Sequence, residues 1–217
     1  MNAADGDPRR PIGLLGGTFD PIHNGHLRVA IEAVEALGLA EVRLLPLHVP
    51  GHRAAPIASA SDRLAMLDAA VRPPLVVDRS EIERGGTTYT VDTLEALRRQ
   101  LPDRSLCLII GLDSFLTLPS WHRPQALLEL AHIVVAARPD VTTAAPAGLD
   151  ELTANAQSER VSDLHELSAG RVYFLDIPLL PIASSDLRAR CSAGRSLRHL
   201  VPDAVDDYIG RRGLYRA

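Results

Sequence analysis

Short apolar runs alternate with amphipathic stretches along the chain. Six runs of four to six residues are rich in Leu, Ile and Val, and they lie at residues 12–15, 42–47, 75–78, 106–110, 132–137 and 172–177. Continuous apolar runs of this length are typical of strands that are buried on both faces of a parallel sheet. The pattern therefore predicts six such strands.

The stretches between these runs carry helical periodicity. Apolar residues from Leu27 to Leu37 recur at helical spacing, and Gly38 supplies the end of this predicted helix. Further helices are predicted over residues 61–71, 91–101 and 202–212, with Ser61 as the cap of the first and Thr90 as the cap of the second. Residues 138–170 show no clear pattern, and both a helix and a loop stay open for this segment.

The alternation of strands and helices predicts an α/β fold, a Rossmann-like doubly wound parallel sheet with helices on both faces. In such sheets, ligands bind at the carboxyl ends of the strands, where the strand order reverses. A chain of 217 residues suits one core of this kind. We therefore expect a single domain over residues 11–217, preceded by a disordered tail at residues 1–10.

Composition and charge narrow the class of protein. The hydrophobic share of 46% is ordinary for a globular chain, and a net charge of −4 does not favour a nucleic-acid partner. Only two cysteines occur, Cys107 and Cys191, which suits a reducing compartment. The first ten residues lack the apolar core of a signal peptide, and no apolar run is long enough to span a bilayer. We expect a soluble cytoplasmic protein that binds neither nucleic acid nor a membrane, whereas small polyanionic substrates remain compatible with local clusters of cations.

The chemistry is concentrated in GGTFDPIHNGHL, residues 16–27, which follow the first predicted strand. Gly16 and Gly17 allow a tight turn and a close approach of the backbone to a ligand. The next helix begins beside His23 and His26, so unpaired N–H groups and two imidazoles could surround a phosphoryl group. The stretch is neither a P-loop nor a GxGxxG motif, and no third metal ligand lies nearby. From the residues alone, a phosphate site and a purely structural turn both stay open.

The same stretch resembles the GGTFDPxHxGH signature of the nucleotidyltransferase superfamily that carries an HxGH motif. Further segments resemble bacterial nicotinate-nucleotide adenylyltransferases in the order expected for that family, and they lie at residues 87–94, 109–121, 132–139, 182–188 and 208–216. The resemblance implies a nucleotidyltransferase of NAD biosynthesis with a Rossmann-like domain. Its expected reaction moves AMP from ATP to nicotinate mononucleotide and yields deamido-NAD and pyrophosphate.

The resemblance also implies an ATP half of the site. His23, His26 and Arg188 are its expected catalytic residues. ATP is expected to contact the glycine turn, the end of the fourth strand and a serine pair, namely Gly16, Gly17, Thr18, Phe19, Gly111, Asp113, Ser184 and Ser185. The chain departs from the family signature at Ala183, where serine is usual, so one hydroxyl is missing while a capping serine and Arg188 remain. Viewed on its own, Asp113 serves equally well as a helix cap.

The acceptor half is likewise implied by the resemblance. Nicotinate mononucleotide is expected to contact Thr90, Val91, Trp121, His122 and Arg138. The indole would stack on the pyridine ring, and N–H groups near Thr90 would bind the ring carboxylate. Tryptophan is more often a core residue, and nothing in the sequence decides whether His48, His52 and Arg53 belong to the site. No protein-built metal site is expected, and Mg²⁺ would arrive on ATP.

Three other functions compete with this one. Pantetheine-phosphate adenylyltransferases share the HxGH pair, but they are shorter and lack the context of Trp121. Class I aminoacyl-tRNA synthetases need a KMSKS-like loop and an anticodon domain, for which this chain has no room. A non-catalytic nucleotide sensor would not need His26 and Arg188, and the presence of both favours an enzyme. The sequence leaves the oligomeric state open.

Overall fold

The computed structural model describes residues 10–51, 55–137 and 147–216, which form nine strands and ten α-helices. The strands are β1 (Ile12–Gly17), β2 (Glu41–Pro46), β3 (Val49–Pro50), β4 (Leu75–Val77), β5 (Thr87–Thr88), β6 (Leu106–Gly111), β7 (His132–Ala137), β8 (Gln157–Ser158) and β9 (Val172–Asp176). All six predicted strands are confirmed, as β1, β2, β4, β6, β7 and β9.

Seven strands form one sheet in the order β4-β2-β1-β6-β7-β9-β8, and every neighbouring pair in it is parallel. The chain winds from β1 outward to β2 and β4, returns to β6 beside β1, and then winds outward in the other direction. The predicted doubly wound α/β fold is therefore confirmed. Its strand order reverses between β1 and β6, so a ligand is expected at their carboxyl ends.

The helices are α1 (Asn24–Leu37), α2 (Ala60–Ala70), α3 (Ser80–Arg84), α4 (Thr90–Gln100), α5 (Leu112–Leu116), α6 (Pro124–Leu130), α7 (Leu149–Leu152), α8 (Val161–Glu166), α9 (Ser184–Ser192) and α10 (Asp203–Arg212), with a 3₁₀ turn at Leu118–Ser120. The four predicted helices correspond to α1, α2, α4 and α10. Gly38 ends α1 in the left-handed conformation, as expected. The segment 138–170 holds α7, β8 and α8 in its described part, and residues 138–146 lie outside that part.

Two predicted caps are wrong. Helix α2 is capped by Ser59 and not by Ser61, because the Ser59 side chain accepts a hydrogen bond from the Asp62 N–H. Thr90 is the first residue of α4, whose cap position is occupied by Tyr89 without a side-chain bond. In both cases the cap lies earlier than predicted, by two residues in α2 and by one residue in α4.

Two apolar cores cover the two faces of the sheet. One includes Leu187 of α9 and Val205 of α10 and packs against α1 and α2, and the other includes Leu94 of α4 and Leu127 of α6. Cys107 is fully buried among the apolar residues of β6. Of the predicted tail only Arg10 is described, and its guanidinium donates to the carbonyls of Gly38 and Leu39. None of the helices in the described residues has the length and apolar character needed to cross a membrane.

Candidate active site

Two glycines lie at the carboxyl ends of the neighbouring strands β1 and β6. Gly16 and Gly111 are both exposed, and a Cβ built on either would meet no atom within 4 Å. Packing inside the protein therefore does not require glycine at these positions. Open space next to bare backbone, at the point where the strand order reverses, is the arrangement that a ligand needs in order to approach the sheet.

The histidine pair lies at the start of α1. His23 is the cap residue of this helix, and its Nδ1 accepts a hydrogen bond of 3.3 Å from the backbone N–H of His26. The two imidazole rings stack with their centroids 3.7 Å apart. A Cβ at Gly25 would lie 3.0 Å from the His23 ring, so glycine between the histidines leaves room for this ring. The sequence placed both imidazoles at the helix start, but it did not show that His23 caps the helix.

Both imidazoles are neutral at pH 7. Burial lowers the pKa of His23 to about 4. The pKa of His26 falls to about 3, through burial first and then through repulsion from His23. Nδ1 of His26 is buried and has no hydrogen-bond partner within the described residues. A phosphoryl group beside the pair would supply negative charge and hydrogen-bond acceptors, and it would raise both pKa values.

We expect the protein without nucleotide to lose stability as the pH falls from 6.5 towards 4. The unfolded His23 takes up a proton near pH 6.5, whereas the folded imidazole does so only at about pH 4. Protons therefore favour the unfolded state in this window, and the stability contribution is complete only above it. The loss from His23 at pH 4 is about 3 kcal/mol, since one pKa unit corresponds to about 1.4 kcal/mol. The measurement is urea unfolding at several pH values.

His23→Asn is the matched variant for this experiment, because asparagine is a good helix cap and does not titrate. Its stability is expected to fall less steeply between pH 6.5, the usual imidazole pKa, and pH 4. Identical slopes in the native protein and the variant would show that His23 is not held neutral by the fold.

Helix α9 brings two of the predicted residues to the loop between β1 and α1. The Arg188 guanidinium donates from Nη1 to the carbonyl oxygen of Asp20 at 2.7 Å, and the Ser184 hydroxyl donates to the carbonyl oxygen of Pro21 at 3.0 Å. The expected capping serine is wrong, because the cap position belongs to Ala183 and makes no side-chain bond. Ser185 is exposed in the first turn of α9.

The loop itself is held from within by Phe19. This residue has a left-handed backbone with φ of 48° and a side chain that is 1% exposed. Its ring meets the His26 ring edge-on, with centroids 5.0 Å apart, and a Cβ at Gly17 would lie 3.0 Å from it. The Phe19 side chain therefore packs beneath the histidines, and only the backbone of this residue can contact a ligand.

Nothing in the sequence singles out Arg63, which the structure places under the same loop. Its side chain is 1% exposed, and Nη1 donates to the carbonyls of Thr18 and Leu47, both at 2.8 Å. Nη2 donates to the carbonyl of His48 at 3.3 Å. Arg63 thus joins the loop after β1 to the loop after β2. The only signal in the sequence is a charged residue at an inward position of α2, and that position becomes visible only once the helix is docked.

The predicted acceptor residues lie at the start of α4 and after the 3₁₀ turn. Thr90 begins α4 with no side-chain cap before it, so the N–H groups of the first turn face outward from a positive helix end. Val91 has its side chain fully buried in the core, which leaves only its backbone for a ligand. The exposed His122 ring lies against Tyr89, with centroids 4.4 Å apart. Trp121 precedes His122 and is half-buried, and its indole N–H donates to the Thr117 hydroxyl at 3.4 Å.

A two-stranded sheet of β3 and β5 connects the loop after β2 to the segment before α4. The His48 N–H donates to the Thr88 hydroxyl at 3.2 Å, and the His48 Nδ1 lies 3.1 Å from the carbonyl oxygen of Gly86. Asp113 is exposed in the first turn of α5, and the cap position there belongs to Gly111. Three further predicted or undecided residues, His52, Arg53 and Arg138, lie outside the described residues.

Comparison with known proteins gives a consistent result. A family model described as cytidylyltransferase-like matches residues 14–190. A probable nicotinate-nucleotide adenylyltransferase of Aeromonas hydrophila subsp. hydrophila is 53% identical over 208 residues, which cover 95% of this chain and 97% of that protein. A protein of the same description from Methylococcus capsulatus is 45% identical over 210 residues, covering 94% and 99% of the two chains.

Solved structures share the fold. The Plasmodium falciparum nicotinic acid mononucleotide adenylyltransferase complexed with NaAD matches with a TM-score of 0.71 at 17% identity, over 95% of this chain and 97% of that chain. A putative nicotinate-nucleotide adenylyltransferase from Vibrio parahaemolyticus matches with a TM-score of 0.64 at 16% identity, over 95% and 96% of the two chains. Likeness at these identities concerns the fold, and it agrees with the doubly wound sheet.

Proposed function

We infer the reaction of this chain from its family, because it belongs to the nicotinate-nucleotide adenylyltransferases within the cytidylyltransferase-like family. The observation that carries this conclusion is the 53% identity to a probable enzyme of that description over 95% of the chain. The protein is a nucleotidyltransferase of NAD biosynthesis. It transfers AMP from ATP to nicotinate mononucleotide and releases pyrophosphate, which leaves deamido-NAD as the dinucleotide product.

The chemistry needs no covalent enzyme intermediate. A phosphate oxygen of the mononucleotide attacks the α-phosphorus of ATP, and the bond from that phosphorus to the β-phosphate bridging oxygen breaks. That phosphate is already an anion at neutral pH, so it needs no general base. The protein's task is to align the two anions and to stabilise the charge that builds up on the transferring phosphoryl group.

For the ATP half we propose that the histidine pair and the first turn of α1 face the phosphates. The two imidazoles are neutral and stacked at the positive end of the helix, and one ring nitrogen of His26 is buried and unpaired within the described residues. Such groups can donate hydrogen bonds without repelling each other before the substrate arrives. They become more cationic as negative charge approaches, which is the response that stabilises a developing oxyanion.

Arg188 and the start of α9 are proposed to hold the outer phosphates. One nitrogen of the guanidinium is fixed by the Asp20 carbonyl, and the other donors of this half-buried side chain have no hydrogen-bond partner in the part of the chain that the structure describes, so they can form a planar fork towards a phosphate. The exposed Ser185 and the bare backbone at Gly16 and Gly111 would line the path of ATP. We further propose that Mg²⁺ enters as part of the ATP substrate, held by phosphates and water.

For the acceptor half we propose that the start of α4 reads the carboxylate of the nicotinate ring. The first-turn N–H groups at Thr90 and Val91 have no side-chain cap to compete with a ligand. The ring of His122 contacts Tyr89, the residue before this turn, and we propose on the strength of that contact that the neighbouring Trp121 stacks on the nicotinate ring. Arg138 remains a proposed contact on the strength of the family motif.

Nicotinate mononucleotide is expected to exceed nicotinamide mononucleotide in kcat/KM by about tenfold to a hundredfold. The two acceptors have nearly the same shape, so the ring stack cannot separate them. An amide would turn its NH₂ group towards N–H donors and leave at least one of them unpaired, at a cost of about 1–3 kcal/mol. The measurement is pyrophosphate release from ATP with each acceptor, with phosphopantetheine as a third.

Two variants separate the roles in this assay. Thr90→Ala removes the Thr90 hydroxyl, which we propose binds the carboxylate together with the first-turn N–H groups, so it is expected to narrow the ratio of kcat/KM between the two pyridine acceptors. Trp121→Ala should lower kcat/KM for both equally. Equal kcat/KM for the two acceptors in the unmodified protein would show that the start of α4 does not recognise the ring carboxylate. A preference for phosphopantetheine would overturn the substrate assignment, and no release with any acceptor would favour the non-catalytic sensor.

A further inference from the structure

We propose that Tyr215 is a positioning residue for ATP binding, which acts through Asp20 on Arg188. The proposal rests on the function proposed above only in assigning Arg188 to the phosphates. Tyr215 lies in the segment 208–216, which resembles the family but has no role in the reaction described above. Its side chain is 9% exposed, and its hydroxyl donates to Oδ1 of Asp20 at 2.6 Å, across almost the whole length of the sequence.

Asp20 is a buried carboxylate inside the loop between β1 and α1, and it is 2% exposed. Besides the Tyr215 hydroxyl, Oδ1 accepts from the Ala58 N–H at 3.1 Å, and Oδ2 accepts from the Ile57 N–H at 2.8 Å. All three donors are neutral. Within the described residues, the carboxylate therefore receives its hydrogen bonds from the backbone before α2 and from the segment after α10, and none from a cation.

Arg188 approaches the same residue from the other side, but it binds the backbone. Its Nη1 donates to the carbonyl oxygen of Asp20 at 2.7 Å and lies 3.9 Å from Oδ2. The charges therefore attract each other without forming a close hydrogen-bonded pair. Among the described residues nothing else bonds the guanidinium, so its other nitrogens can turn towards an anionic substrate, provided that the carboxylate keeps its neutral donors.

Loss of the tyrosine hydroxyl would change this balance. Burial raises the pKa of Tyr215, and its hydrogen bond to Asp20 acts in the same direction, so the group remains a donor at every pH of interest. Without it, Oδ1 keeps only the longer bond from Ala58, and a buried carboxylate that lacks a donor is costly. The carboxylate can regain a hydrogen bond if the Arg188 guanidinium, now 3.9 Å from Oδ2, moves closer to it. That movement would withdraw the Arg188 side chain from the phosphates.

Tyr215→Phe tests the proposal, because it removes one hydroxyl and keeps the ring that packs in the core. We expect KM for ATP to rise about fivefold to twentyfold. This is less than the direct loss of a hydrogen bond to a charged group would cause, because the hydroxyl acts on ATP only through Arg188. KM for the acceptor should change by less than about twofold. The dissociation constant of α,β-methylene ATP, measured by titration calorimetry, should rise equally. That measurement needs no turnover, so it is independent of the acceptor assignment.

Tyr208→Phe is the matched control. The Tyr208 hydroxyl also reaches from α10 to a buried carboxylate, donating to Oδ1 of Asp62 at 2.9 Å. Asp62 also accepts hydrogen bonds from Ser59 and Arg212, and within the described residues it forms no hydrogen bond or ion pair with Asp20 or Arg188. The control is expected to lose some stability while the analogue binds with its native dissociation constant.

The outcomes separate positioning from a merely structural role. A structural role reduces the fraction of protein that binds, which lowers the calorimetric stoichiometry and leaves the dissociation constant unchanged. Such a result for Tyr215→Phe would overturn the proposal, as would an equal rise in the Tyr208→Phe control. In the Arg188→Lys background, Tyr215→Phe is expected to add less than twofold, because the residue through which it acts is already impaired.

Discussion

Replacing His26 by alanine is expected to lower kcat by about 10²–10³, with a much smaller change in KM for ATP. A loss of this size is typical when one preorganised donor to a developing oxyanion is removed. The ring is stacked on His23 at the start of α1 and carries a buried ring nitrogen without a partner in the described residues. Steady-state kinetics of pyrophosphate release provides the measurement.

The fold should survive this change. The hydrogen bond that caps α1 uses the backbone N–H of His26 and the ring of His23, so it is retained in the variant. His165→Ala is a suitable control, because this exposed histidine contacts the Leu37 carbonyl at the far end of the same helix. A near-native kcat in His26→Ala would exclude His26 from the mechanism. A similar loss of kcat in His165→Ala would show that the effect comes from a disturbance of the whole of α1 and not from the His26 ring.

Arg188→Lys is expected to lower kcat/KM for ATP by about tenfold to a hundredfold. Hydrogen bonds to charged groups contribute about 1.5–3 kcal/mol each, and 1.4 kcal/mol corresponds to a factor of ten. A guanidinium can donate to the Asp20 carbonyl with one nitrogen and to a phosphate with the others, whereas an ammonium is a single point of charge. The measurement is the ATP dependence of turnover at saturating acceptor.

The same helix offers a matched control. Arg190 also donates to a backbone carbonyl, that of Ser196, and it is not among the proposed site residues. Arg190→Lys is expected to leave both KM values within about twofold of the native ones, as is usual for surface substitutions. If Arg188→Lys instead weakened the acceptor and spared ATP, Arg188 would belong to the other half of the site.

The local pattern of the chain was a good guide to the sheet. Each of the six apolar runs forms a strand, because a run of Leu, Ile and Val has few other ways to be buried on both sides. The helix caps were a weaker guide. Ser59 caps α2 in place of Ser61, and Ala183 occupies the cap position of α9, because the residue at a helix start depends on where the preceding segment docks.

The sequence by itself determined the fold class and the place of the HxGH motif at the start of α1, since both follow from periodicities and glycines that act over a few residues. Only the tertiary structure decided which residues from distant parts of the chain bind the loop that precedes α1. Arg63 reaches Thr18 from α2, and Tyr215 reaches Asp20 from the segment after α10. Nothing near these residues in the chain indicates their partners. Such contacts exist because a buried charge or carbonyl must be paired, and the pairing group is whichever one the packed helices bring within about 3 Å.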